Sequence, residues 1–247
     1  MRTIRITGTG SALPGRIVTN KELEQMVETS DEWIRERTGI GERHVSVGET
    51  VVALASEAAR KALEQAGKRA EEIDLILVAT CSPEQYLPCC ACQVQADTGG
   101  GVLQCGAREL TTPYVGTSAA KTDQNQPTND REHYIQMDGQ EVYRFATRRV
   151  PQCIEEALSD AGLAVPDIDL FVLHQANARI IDAVAKRLHA DREKFPTNLE
   201  RVGNLSSASI PVLLDELHKQ GKLHRGDHIV LAGFGAGLTI GACVMTW

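Results

Sequence analysis

A stretch of 20 residues occurs twice in the chain. Residues 61–80, KALEQAGKRAEEIDLILVAT, align with residues 156–175, EALSDAGLAVPDIDLFVLHQ, at a constant spacing of 95 positions. Ala62, Leu63, Ala66, Gly67, Ile73, Asp74 and Leu75 recur as Ala157, Leu158, Ala161, Gly162, Ile168, Asp169 and Leu170. Each copy reads as the end of an amphipathic helix, a glycine stop, a short acidic loop and a nearly unbroken apolar run. Such a run suits a strand buried on both faces. A helix feeding a buried strand, twice over, restricts the chain to an α/β fold with helices packed on parallel or mixed sheets. Any two helix–strand units share that outline, but identities at one fixed spacing point to a duplicated half.

Around the repeat the pattern continues. TIRITGTG predicts a first strand and VVALASEAARKALEQAG a helix stopped by Gly67. Asn20, Ser30, Asn177 and Ser209 are expected as helix N-caps, and Gly39 as a helix stop. The helix through EVYRFATRRVPQCIEEALSDAG should kink or split at Pro151. Residues 117–133 are polar and read as a surface loop, and HIVLAG and LTIGACVMTW as strands joined by GFGAG.

Composition narrows the function. The 247 residues are 42% hydrophobic and 24% charged, enough for one large domain or two fused halves with a real core. A net charge of −7 argues against broad nucleic-acid binding. No apolar run approaches a membrane span, and the first residues lack the apolar core of a signal peptide. The seven cysteines are odd in number and unevenly spread, so they are expected to be reduced, in a cytoplasmic protein.

Chemistry concentrates in the second half. His174 ends an apolar strand just before a capped helix, where sites of α/β sheets collect. A neutral imidazole there can donate or accept a proton near pH 7, although a lone histidine also serves as a structural strand end. Asn204, in GNLSSASIP, sits among small residues that let backbone come close, and its amide can donate a hydrogen bond or simply make a turn.

HQANARI together with GNLSSASIP carries a resemblance. With GTGSALPGRIVTN, TSDEWIRERTGIGERH, PCCACQVQ and GFGAGLT, the chain resembles the ketoacyl-acyl-carrier-protein synthase III group of thiolase-like condensing enzymes. The resemblance implies a thiolase-like α/β fold of duplicated halves with layered mixed sheets. The halves would span residues 1–100, truncated, and 101–247 with the connecting segment. It implies a decarboxylating condensation of acyl-CoA with malonyl-acyl-carrier-protein in fatty acid biosynthesis, with no cofactor and no metal. His174 and Asn204 match the pair that stabilises the malonyl enolate, and Ala236 matches a backbone position of the oxyanion hole. Thr29, Trp33 and Arg37 match a CoA pocket, Leu87 a residue reaching into the partner subunit, and Met137, Gly139 and Tyr143 the pantetheine and acyl channel. Arg144, Arg179, Lys186 and Arg187 match a face for acyl carrier protein. On the bare sequence those charges also fit a solvated helix face. Acyl carrier protein, acyl-CoA and a second copy of the chain are thus the expected partners.

One family element is absent. The nucleophilic cysteine lies in an AACSGF-like turn, and no such turn exists here. After QVQADTGG the chain runs through three glycines, 99–101, into a region resembling one well past the nucleophile. About a quarter of the family's length is expected to be missing at that seam, so acyl loading is expected to be impaired. What remains is at most malonyl-thioester decarboxylation, or a non-catalytic module that binds the carrier protein or pairs with another subunit. Cys92 matches a structural cysteine. Cys89 and Cys90, at an expected helix start, read first as small buried residues; acyl loading on either, or a Cys89–Cys92 redox pair, stays open.

Overall fold

The computed structural model describes residues 5–85, 88–99 and 137–247. Leu87, Cys105 and the polar stretch 117–133 lie outside the described residues.

The second half is built around a three-stranded mixed sheet. β3 (Leu170–Leu173) pairs in parallel with β4 (His228–Gly235), which pairs antiparallel with β5 (Thr239–Thr246). The side chains alternate as a pleated strand requires. Phe171, Leu173, Val230 and Ala232 face α5 (Gly139–Ala161) and α6 (Ala178–Arg187) and join Val150, Ile154, Ile181 and Val184 in the main core. Val172 and Ile229 face α8 (Ser209–Lys219) and meet Leu213, Leu214, Leu217 and Trp247. Helices thus cover both faces, the layered arrangement expected of a buried parallel pair. Phe171 stacks on Phe195 with ring centroids 4.6 Å apart.

Pro151 neither splits nor ends α5, which runs unbroken for 23 residues. The proline is buried on the core side between Val150 and Ile154. Packing along a helix of that length outweighs the single backbone bond a proline removes.

The first half comprises β1 (Arg16–Thr19) and β2 (Glu42–Val45), an antiparallel pair, with α1 (Asn20–Leu23), α2 (Asp31–Thr38), α3 (Val51–Ala66) and α4 (Cys90–Thr98). Ser30 caps α2 and Gly39 ends it with φ +80°, as the sequence predicts. Asn20 is not a cap: Thr19 takes that place. Asn20 is buried instead, donating to Asp31 Oδ1 and the Ile40 carbonyl and accepting from Arg43.

Residues 5–14 form no strand, but they fix the two halves together. In GTGS, ideal Cβ atoms on Gly8 and Gly10 would lie 2.3 Å and 2.2 Å from the carbonyl oxygens of Ala62 and Ala58, so only glycine allows α3 to approach. The alternate residues, Thr9 and Ser11, donate to the buried Asp215 carboxylate of α8 at 2.9 Å and 2.5 Å, beside Lys219 at 2.7 Å.

The repeat holds locally and diverges in pairing. Gly67 and Gly162 both close their helices in the left-handed region, at φ +63° and +68°. One-turn helices follow at Ala70–Glu72 and Val165–Asp167, and in each the third residue's carboxylate accepts the backbone N–H of the residue before the turn. The second copy then becomes β3. The first copy, residues 73–80, does not become a strand. It pairs with no strand among the described residues, and Leu75 and Leu77 are 67% and 84% exposed. An apolar run becomes a buried strand only where neighbours supply ladder partners and cover, and here β4 serves only the second copy.

Candidate functional site

β3 ends at Leu173, and the backbone N–H of His174 continues its ladder by donating to the Ala232 carbonyl at 2.8 Å. The ring therefore leaves the sheet at the carboxyl end of the parallel pair. It stands at 73° to the ring of Phe234 on β4, centroids 5.2 Å apart, and its Nδ1 lies 2.6 Å from Ser209 Oγ at the start of α8. Burial pushes the imidazole below its ordinary value of 6.5, so the neutral ring prevails at neutral pH.

Asn204 arrives from the other side. α7 (Leu199–Val202) ends at Gly203, which takes φ +69°. Ser206 then adopts φ +51°, a conformation costing a non-glycine residue about 1 kcal/mol. That turn brings the Ser206 N–H to Asn204 Oδ1 at 2.9 Å. Only the amide oxygen can accept an N–H, so Nδ2 is left as the donor, and no acceptor holds it among the described residues.

His174 and Asn204 line one cavity of about 620 Å³, together with Ser206, Ser209, Phe234 and Gly235. Its size suits a small-molecule arm. Among the described residues, neither a carboxylate nor a cysteine lines it. A neutral imidazole and an amide donor, with no anion beside them among the described lining residues, suit an oxygen on which negative charge develops.

The other expected site residues are distributed as follows. Ala236 lies in the exposed turn after β4, its carbonyl accepting from Thr239 Oγ1 at 3.2 Å; Gly235 and Phe234, not Ala236, line the cavity. Trp33 and Arg37 lie one turn apart on α2, Trp33 55% exposed, and Thr29 precedes the cap. Asn177 caps α6 as expected, and its Nδ2 donates to the Arg37 carbonyl at 2.8 Å, which places α2 beside the helix that follows His174. Met137 is exposed ahead of α5, Gly139 opens that helix, and Tyr143 packs against the main core. None of these three lines the cavity of His174 and Asn204. Arg179, Lys186 and Arg187 are exposed on α6, opposite its buried residues. Arg179 lies over the Tyr143 ring, 5.7 Å from its centroid, and Arg144 is paired with Glu141.

Cys89 and Cys90 open α4, away from the cavity wall. Burial, with Glu84 and Cys89 nearby, pushes the Cys90 thiol up, the opposite of nucleophile activation. The Cys89 and Cys92 sulfurs lie 3.4 Å apart. No group of three or more His, Cys, Asp or Glu side chains among the described residues could hold a metal ion.

Ser209 escapes sequence reasoning, which expects a cap. Ala208 occupies that position, and Ser209 is buried as the first residue of the helix. Its spacing after Asn204 was visible; its approach to His174, 35 positions away in sequence, is purely tertiary.

Residues 158–247 match the family model described as 3-Oxoacyl-[acyl-carrier-protein (ACP)] synthase III C terminal. The beta-ketoacyl-[acyl-carrier-protein] synthase III of Clostridium acetobutylicum is 34% identical over 323 aligned residues, covering 100% of this chain and 99% of the relative. That of Synechococcus elongatus is 36% identical over 327, covering 99% and 97%. Against 247 residues here, an alignment of 323 leaves at least 76 positions of the relative without a counterpart, a missing internal segment. The crystal structure of 3-oxoacyl-[acyl-carrier-protein] synthase III from Aquifex aeolicus matches with a TM-score of 0.85 at 31% identity, covering 98% of this chain and 99% of that one.

Proposed function

The chain belongs to the beta-ketoacyl-[acyl-carrier-protein] synthase III family, and on that premise we propose that it holds a malonyl thioester between His174 and Asn204 and promotes loss of carbon dioxide from it. The role is synthase III-like, in fatty acid biosynthesis. The supporting observation is that the two side chains share one cavity, with Asn204 Nδ2 left as a donor and no anion among the described lining residues.

As the bond to the carboxylate breaks, its electron pair moves toward the thioester oxygen. Donors aimed at that oxygen bind it more tightly as charge grows, which lowers the barrier rather than merely binding substrate. The resulting enolate takes a proton from water, giving an acetyl thioester. Full condensation also needs an acyl group carried on a thiol in the same cavity, and none of the described lining residues supplies one. Acyl loading is the impaired step of this reading.

The same reading assigns acyl-CoA to the face of Thr29, Trp33 and Arg37, and acyl carrier protein to Arg144, Arg179, Lys186 and Arg187. It divides the chain at 100/101 into two halves, pairs it with a second copy and places it in the cytoplasm. No helix among the described residues is long and apolar enough to cross a membrane.

The test is carbon dioxide release from malonyl-acyl-carrier-protein. Release should fall about 100-fold or more in His174→Ala and in Asn204→Ala, the usual cost of one oxyanion donor. Release by the unaltered protein no faster than by His174→Ala rules the reading out. A second reading, a non-catalytic carrier-protein module, draws on exposed Arg179, Lys186 and Arg187, which form no ion pair among the described residues. It keeps salt-sensitive carrier-protein binding, weakened in Arg179→Ala and Lys186→Ala, when no carbon dioxide is released.

A further inference from the structure

We propose that Ser209 is a positioning residue that fixes the His174 ring in the tautomer with its proton on Nε2. The inference rests on the reading above for its consequence, but its geometry stands apart from it.

Ser209 Oγ has one proton to give and two lone pairs to fill. The backbone N–H of Gln175, 3.3 Å away, can only donate, so it occupies a lone pair. The remaining neighbour is His174 Nδ1, at 2.6 Å. No other acceptor for the hydroxyl proton is present among the described residues. Ser209 is buried to 1% exposure, so water does not offer one readily. The hydroxyl therefore donates to Nδ1, which must be bare. A neutral ring with a bare Nδ1 carries its proton on Nε2, its other nitrogen.

The arrangement is over-determined by the fold. The Gln175 N–H belongs to the residue after His174, so the hydroxyl is held by the same turn whose ring it orients. Ser209 opens α8, whose apolar face is locked into the sheet by Val172 and Ile229. Displacing the Ser209 backbone relative to the ring requires motion of a packed helix against β3. The site thus has two preset donors held by neighbouring backbone: Nδ2 of Asn204, because Ser206 occupies its oxygen, and Nε2 of His174, because Ser209 occupies Nδ1.

The test uses the full chain with its histidine rings labelled in nitrogen. Proton–nitrogen correlation spectra distinguish the two tautomers directly, and His174→Gln identifies the signals. The unaltered protein should show the Nε2–H pattern for His174. Ser209→Ala should change that pattern toward a tautomer mixture and lower carbon dioxide release about tenfold in kcat, with KM little changed, the worth of one orienting hydrogen bond. Ser209→Thr, which keeps the hydroxyl, should restore both. An Nδ1–H pattern in the unaltered protein, or an unchanged pattern in Ser209→Ala, overturns the proposal. If the Nε2–H pattern depends on Ser209 while no carbon dioxide is released, the positioning stands and the decarboxylation reading falls.

Discussion

Burial of the His174 ring, with a serine and not a carboxylate against Nδ1, sets how the site responds to acid. Desolvation lowers the folded-state value below the ordinary 6.5. The folded protein therefore takes up this proton less readily than the unfolded chain, and the stability tied to the neutral ring declines as pH falls below about 6.5. The neutral ring persists further into acid than that of a free imidazole. Carbon dioxide release should stay level as pH drops through 6.5 and decline only below it; an acid limb centred at or above 6.5 would show that the ring is not desolvated during turnover. At this scale His174 and Asn204 stood out through HQANARI and GNLSSASIP, the motifs that carry the resemblance, and the structure brings both to one cavity. The sequence hid Ser209 and Phe234, because a serine before a helix and an aromatic in a strand have ordinary local explanations.

At the scale of elements, identical local signals led to different outcomes. Gly67 and Gly162, the acidic turns and the apolar runs were legible in both copies, and the glycine stops and acidic turns formed as their chemistry dictates. Strand formation was not legible, because it depends on a partner. Residues 170–173 find β4, whereas 73–80 find none among the described residues. Energetic weight should follow. Phe171→Ala, fully buried and stacked on Phe195, should cost about 3–5 kcal/mol in chemical denaturation. Leu77→Lys, at an exposed position in the matching run, should stay within about 0.5 kcal/mol. Comparable losses for the two would mean that residues 73–80 are buried in solution.

The whole molecule is a well-packed second half with a first half fastened to it. The fastening is polar and close-fitting: Thr9 and Ser11 on Asp215, the Gly41 N–H on the Glu200 carbonyl, Arg35 on Glu200, and Asn177 on the Arg37 carbonyl. Burial raises the Asp215 carboxyl, but hydrogen bonds from Lys219, Ser11 and Thr9 outweigh it and hold it below its ordinary value. These ties set α2 beside α6, the helix that follows His174, and no cysteine lines the His174–Asn204 cavity among the described residues. The direct test is to bind a malonyl thioester analogue that cannot lose carbon dioxide, isotope-labelled at the thioester carbonyl. Donation from both side chains predicts a downfield carbonyl signal on binding, reduced in His174→Ala and again in Asn204→Ala. A bound carbonyl that resonates as it does free in water, and is moved by neither substitution, would contradict it.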